Sequence, residues 1–382
     1  MHRTAATART DVARRRTLHH ARRKATTMNA IVIVDALWGD SGKGKTCAHL
    51  AEKHNAALAV RAGVGTNAGA SVTLDDGTLV KARQLPTGWI NPGTRVAVGS
   101  GVMVDPRVFA GEVERFGLAG RAFVDGRCAV ITPAHIQAEK DDPHLATTVG
   151  STCTGNGHAR ADFVLRRAQQ ARDVPELAPY VIDVASEVNA IAAAAGQIVL
   201  VEGSQGTLLS LALSNDYPFT TSDNCTSTAA MDDVGLNWRL VTDVVMVVKT
   251  MPTRVGEGPL PFEIPVQEAI ARGIAEYGVV TRRPRRKAER VDMELLRYAA
   301  LLNGPTQIAL SFCVHYDPAI RGALSADGIT PRVRSLIAEV EDVTGAAVTM
   351  LDTGPQLHDM IDLSPAPVTA GVQGQGRSDG AA

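Results

Sequence analysis

The residues most able to do chemistry come early, in Gly39-Asp40-Ser41-Gly42-Lys43-Gly44-Lys45-Thr46. This stretch meets the pattern G-x-x-x-x-G-K-[ST], in which glycines let backbone N–H groups close around phosphates at the start of a helix. A turn does not require two lysines at that spacing, so a nucleoside triphosphate is the first ligand it implies. Asp40 is unusual within such a loop. Its carboxylate repels phosphates unless it binds Mg²⁺ or handles a proton, so it reads as a chemical residue. A second Gly/Asn-rich turn, Arg61 to Gly69, contains Asn67-Ala68-Gly69 and is of the kind that brings backbone close to a ligand. Much later comes a cationic run, Arg282-Arg283-Pro284-Arg285-Arg286-Lys287. By itself it reads as a solvated face or a nucleic-acid patch.

These residues need rigid elements behind them. Short β-branched runs at Ile31–Val34, Val96–Val98, Cys128–Ile131, Ile198–Val201, Val244–Lys249 and Gln307–Ser311 predict strands. Helical spacing predicts helices over Thr46–His54, Ala161–Ala171, Val181–Ala195, Val266–Glu276, Met293–Leu302 and Arg332–Val343. Alternation of the two implies an α/β fold with a large, mostly parallel central sheet flanked by helices. The glycine loop follows the first strand and opens the first helix, the context its motif requires. Residues 28–363 are expected to form one domain. Residues 1–27, rich in Arg, Ala and Thr, read as a transit peptide, a solvated tail or a start assigned too early; 364–382, rich in Gly, Pro, Gln and Ser, read as a flexible tail.

Composition narrows the partners. With 39 Lys and Arg against 40 Asp and Glu, the chain has no long-range attraction for phosphate polymers or anionic membranes. Neither nucleic acid nor membrane is expected. No apolar run is long enough to span a bilayer. Five scattered cysteines without C-x-x-C spacing suggest neither a disulfide framework nor a zinc site and fit a reducing, cytoplasmic setting.

The two glycine-rich turns resemble the adenylosuccinate synthetase family, and further landmarks follow in order: Gly150-Ser151-Thr152, Glu202 to Leu209, Tyr217 to Ser222, Thr253 to Pro259, Thr281 to Arg286 and Thr353-Gly354-Pro355. The resemblance implies a P-loop-like nucleotide-binding fold of that family's type and a ligase reaction. In it, the O6 of a 6-oxopurine nucleotide is phosphorylated by a triphosphate, and the amino group of L-aspartate then displaces the phosphate. Asp40, Lys45 and Gln205 match catalytic positions. Asp40 would be the general base and, with Gly69, hold Mg²⁺. The triphosphate would lie on Gly39, Ser41, Gly42, Lys43, Gly44, Lys45 and Thr46, its base near Phe312, Thr353, Gly354 and Pro355. The purine monophosphate would meet Asp40, Asn67, Ala68, Gly69, Thr152, Gln205, Thr221 and Arg283. Arg166 matches a residue that reaches a neighbouring subunit's monophosphate, which implies a homodimer. Thr281, Arg283 and Arg285 would hold aspartate, since guanidinium forks suit planar carboxylates.

Departures from the family pattern select among substrates. Most members read guanine of the donor with a Lys-x-Asp pair, where this chain has Ser311-Phe312-Cys313-Val314. A lost charged hydrogen bond costs roughly 1.5–3 kcal/mol, so the expected donor is ATP or dATP. The same replacement resembles the phage N6-succino-2-amino-2'-deoxyadenylate synthase branch, which makes a precursor of 2-aminoadenine DNA. Amination of dGMP is therefore the leading expectation. IMP is the alternative, favoured by retention of Asp40 where the phage branch often carries a smaller residue. The family histidine that stabilises phosphoryl transfer is Ala70 here, leaving Ser71 and His158 to be weighed as substitutes and motivating a third reading, a catalytically impaired nucleotide-binding regulator.

Overall fold

The structure, a computed structural model, describes residues 29–278 and 284–363. The predicted basic extension 1–27, the tail 364–382 and the site residues Thr281 and Arg283 lie outside the described residues.

Among the described residues fifteen strands run in chain order: β1 (Ala30–Asp35), β2 (Leu58–Arg61), β3 (Ala70–Thr73), β4 (Leu79–Ala82), β5 (Arg95–Val98), β6 (Ala122–Asp125), β7 (Val181–Ile182), β8 (Val199–Glu202), β9 (Val241–Lys249), β10 (Thr253–Arg254), β11 (Glu263–Ile264), β12 (Arg286–Ala288), β13 (Gln307–Ser311), β14 (Ala347–Asp352) and β15 (Met360–Asp362). Ten of them form one sheet in the order β15-β14-β13-β9-β1-β8-β2-β5-β6-β7. Only the β14/β15 edge pair is antiparallel. In the central strands the side chains on both faces are buried: Val32, Val34, Val201, Met246 and Val248 belong to one apolar cluster and Ile31, Ile33, Leu200, Val245 and Val247 to the other. Continuous apolar runs are what a parallel sheet covered on both faces requires.

Parallel pairing puts all carboxyl ends on one edge. Register sets Arg61 beside Glu202, Asp35 beside Val247, and Ser311 beside Lys249. Polar residues at the ends of otherwise apolar strands are thus gathered at one crevice, where open α/β sheets bind ligands.

Several predicted elements differ. Cys128–Ile131 is not a strand; Val130 and Ala129 make only isolated bridges, to Val104 and Gln170, because the segment threads between loops. The helix expected over Ala161–Ala171 runs from Asn156 to Val164, entered through Gly155 at φ 83 and left at Arg166, whose φ of 60 breaks the spiral. Val181–Ala195 splits: Val181-Ile182 pairs with β6, and the Asp183 carboxylate then accepts from Ser186 N to cap a helix over Val184–Ala192. The helix begun at Val266 stops at Ala271, before Gly273 at φ 68.

Candidate active site

A cavity of about 640 Å³ opens at the carboxyl ends of the parallel strands. The glycine loop forms one wall. Gly39 and Gly42 take φ values of 84 and 86, which only glycine adopts freely. Gly206 has no room for a side chain either, since a Cβ there would lie 2.4 Å from Gly39 N. The loop that follows β8 therefore presses directly on the glycine loop. The helix Lys43–Lys53 begins at Gly42 without a side-chain cap, so its first N–H groups remain for a ligand at the cavity edge.

Three non-glycine residues at this cavity share the left-handed backbone region: Asp40 (φ 53), Gln205 (φ 60) and Phe312 (φ 55). Such conformations cost about 1–3 kcal/mol each and persist where surrounding contacts enforce them, often at functional sites. Here the contacts are on hand. Lys43 Nζ donates to the Gln205 carbonyl at 2.6 Å and to Asp35 Oδ2 at 3.3 Å. Lys249 Nζ donates to the Asp40 carbonyl at 2.9 Å.

Asp40 meets the cationic segment. Its Oδ2 lies 2.5 Å from Arg285 Nη1, with both side chains largely buried. The glycine loop and the arginine-rich run therefore open onto the same cavity, as the sequence reading requires. Beside them Asn67 donates from Nδ2 to Thr221 Oγ1 at 3.2 Å, and Ala68, Gly69 and Thr152 also line the space. Ser41 Oγ, Asn67 Oδ1, Asn156 Oδ1, Ser204 Oγ and Ser222 Oγ are buried lining atoms without hydrogen-bond partners among the described residues. Buried polar atoms are normally paired. Their concentration here marks a surface complementary to a polar ligand.

Other predicted residues lie elsewhere. Lys45 does not line the cavity: its Nζ donates to Asp352 Oδ1, the Gly354 carbonyl and the Asp359 carbonyl, all within 2.9 Å. Side chains two apart on a helix diverge, so the lysine that faces the cavity is Lys43. Thr46 is buried with its hydroxyl on the Gly42 carbonyl, and Thr353 donates to the Ala323 carbonyl. Thr353, Gly354 and Pro355 do not line the cavity, although Phe312 does. Arg166 is exposed and does not line the cavity. Of the groups weighed against the absent histidine, Ser71 lines the cavity beside Ala70, and His158 does not.

Sequence reasoning missed a buried charge cluster. Lys249 ends the apolar strand β9; Glu276 accepts from Lys249 at 2.6 Å and from Lys287 at 2.5 Å. Burial pushes Lys249 down to about 8, against the pull of Glu276. Burial alone would raise Glu276, but the Lys249 ammonium, His315 and Lys287 outweigh it and hold the carboxyl well below its usual range. Arg254, 1% exposed, donates to Asp216 and to the Phe219 and Pro259 carbonyls. A lone lysine closing an apolar run was the one signal that could have found Lys249; Glu276 carried none.

Mg²⁺ fits this donor set in a particular way. Among the described residues no three His, Cys, Asp or Glu side chains converge as a metal cage. Asp40 supplies a single carboxylate at the cavity wall. One carboxylate with substrate phosphates and water is a common way of holding Mg²⁺.

Comparison with known proteins agrees with this geometry. The adenylosuccinate synthetase family model matches residues 32–178 and 171–313. The chain is 44% identical over 336 residues to the adenylosuccinate synthetase of Archaeoglobus fulgidus, covering 88% of this chain and 98% of that one. It is 42% identical over 344 residues to the adenylosuccinate synthetase of Methanocaldococcus jannaschii, covering 89% and 99%. In fold it is similar to fully ligated adenylosuccinate synthetase from Plasmodium falciparum, with a TM-score of 0.80 at 19% identity over 87% of this chain and 99% of that one. It is also similar to the succinoaminodeoxyadenylate synthetase (PurZ) of cyanophage S-2L, bound to dGMP and dATP as an energy donor, with a TM-score of 0.73 at 23% identity over 89% and 97%.

Proposed function

Since the chain belongs to the adenylosuccinate synthetase family and is a carbon–nitrogen ligase, we propose that it joins L-aspartate to C6 of IMP, giving adenylosuccinate, with ATP as phosphoryl donor. The observation that carries this reading is the Asp40–Arg285 pair, which sets the base expected to act on the purine against the guanidinium expected to hold aspartate.

In the first step Asp40 takes the N1 proton, O6 attacks the γ-phosphorus, and ADP leaves. In the second the aspartate nitrogen attacks C6, the C6–O bond breaks, phosphate departs, and the nitrogen loses its proton. Lys43 and the first-turn N–H groups face the phosphates, where positive charge stabilises phosphoryl transfer. Arg285 orients aspartate through its carboxylate. Mg²⁺, when bound at Asp40 with the phosphates, supplies further neutralisation of their charge. Exposed Arg166 is read as reaching the nucleotide of a second copy in a homodimer.

The dGMP reading that leads from sequence gives way to its alternative. Relatives above 40% identity over nearly the whole chain are adenylosuccinate synthetases, whereas the dGMP-bound phage protein is similar in fold at 23% identity. Asp40, retained and lining the cavity, favours a purine without a 2-amino group. The ATP reading rests on Val314, which is buried and carries no carboxylate for guanine, and on Asp352, whose oxygens are engaged by Lys45, Phe312 N and Gly354 N.

The test is a substrate panel: IMP or dGMP, each with ATP, dATP or GTP, plus Mg²⁺ and L-aspartate. Phosphate release and a succino-nucleotide are expected fastest with IMP and ATP. Preference for dGMP would restore the phage-type reading, equal turnover with GTP would defeat the donor reading, and nucleotide binding without phosphate release would point to a regulator.

A further inference from the structure

Lys249 closes β9 opposite Ser311 of β13 and lies behind the cavity-lining residues Asp40, Glu276 and Phe312, each of which it contacts. Its side chain is 2% exposed. The ammonium donates to the Asp40 carbonyl at 2.9 Å, Thr253 Oγ1 at 2.7 Å and Glu276 Oε2 at 2.6 Å. Those acceptors match the three protons a lysine has. The same nitrogen lies 4.2 Å from the centroid of the Phe312 ring, within cation–π range.

Charge counting separates this lysine from a merely structural one. Glu276 already has a cation in Lys287, which approaches its other oxygen at 2.5 Å. A second buried ammonium on one carboxylate leaves excess positive charge in a dry site, which costs stability. Packing gives no reason for it. What Lys249 adds, and Lys287 does not, is contact with the main chain of Asp40 and the face of Phe312, two residues held in left-handed conformations on different loops.

We propose that Lys249 is a positioning residue for the ligase reaction: one buried ammonium fixes the Asp40 loop and the Phe312 ring relative to each other, so that general base and donor nucleotide keep a single geometry. It works through those two residues and touches no reacting atom. The role given to Asp40 rests on the function proposed above; wild-type turnover of IMP or dGMP tests that separately, because its absence would remove that reading before any variant is made.

The experiment compares purified Lys249→Met and Lys287→Met with wild type in kcat, in KM for each substrate and in thermal midpoint. For Lys249→Met, kcat should fall about 10²-fold, the scale of a small misplacement of reacting groups. Donor KM should rise while aspartate KM changes less than about twofold, with the midpoint unchanged or raised. Lys287→Met should keep kcat within about fivefold, since it breaks neither contact. Retained kcat in Lys249→Met, or equal losses in both variants, would overturn the proposal and leave a structural cluster. Should Lys249→Met not fold, Lys249→Gln, which keeps a donor for the Asp40 carbonyl, is read the same way; failure of both to fold would make Lys249 structural and end the proposal.

Discussion

The two walls of the cavity are held by different physics. The glycine-loop wall is shaped by backbone: Gly39 and Gly42 at positive φ, Gly206 pressed on Gly39, and an uncapped helix start. The opposite wall is shaped by buried charge, with Lys249, Arg254, Arg285 and Lys287 each tied to an acid. Backbone shape is written locally, in glycines at fixed spacing. A charged wall depends on which distant carboxylate each cation meets, so its order along the chain says little.

The pair that joins the walls gives the largest expected effect. Asp40→Asn keeps size and loop but removes the base; kcat should fall by about 10²–10⁴-fold, with triphosphate affinity largely kept, as read by steady-state kinetics beside equilibrium binding. Activity within a few-fold of wild type would detach Asp40 from proton transfer and leave its pairing with Arg285 as architecture.

This contrast also explains what was legible in advance. β1, β9 and β13 were visible because strands buried on both faces are continuous apolar runs, and the glycine loop because its motif sits between a strand and a helix. β10, β11 and β12 have two or three residues each and exist through pairing partners far away, so no local pattern announced them. The helix after Gly155 was misplaced because Ala and Arg in 161–171 have helical propensity, while the capping glycine and the break at Arg166 decide its ends. Within the site, Asp40, Asn67, Thr152, Gln205, Thr221, Arg285 and Phe312 do line one cavity. Weight on Lys45 came from the motif's last lysine, and only the helix direction showed that Lys43 faces inward.

Those two lysines sharpen the comparison within a single turn. Lys43→Ala should lower kcat/KM by about 10²-fold and lower the unfolding midpoint as well, since it leaves buried Asp35 without its cation. Lys45→Ala should affect stability alone: it takes the cation from Asp352, which keeps the Phe312 and Gly354 N–H groups, a loss on the order of 1–3 kcal/mol, while folded enzyme keeps its turnover. Denaturant unfolding and kinetics on the same preparations read both quantities. If Lys45→Ala loses turnover at full stability, the phosphate lysine has been assigned to the wrong residue.

The smallest expected effect concerns two buried carboxyls treated oppositely. Glu276, on the charged wall, has two ammonium partners and is held ionised. Asp233, at the end of the helix Ser227–Asp233, accepts a hydrogen bond from Gly63 N at 2.7 Å and is pushed up to about 7, first by burial and next by Asp223. A carboxyl raised in the folded state binds its proton more tightly there than in the unfolded chain. Its contribution is present in full below the unfolded value near 4 and is lost as pH rises to about 7. Asp233→Asn keeps an acceptor for Gly63 and removes the charge. The variant should therefore gain stability over wild type as pH increases, by on the order of 1–4 kcal/mol at pH 8 and by little at pH 4, with turnover unchanged. Urea midpoints at the two pH values read the difference. A constant gap would show that folding leaves the proton affinity of Asp233 unchanged.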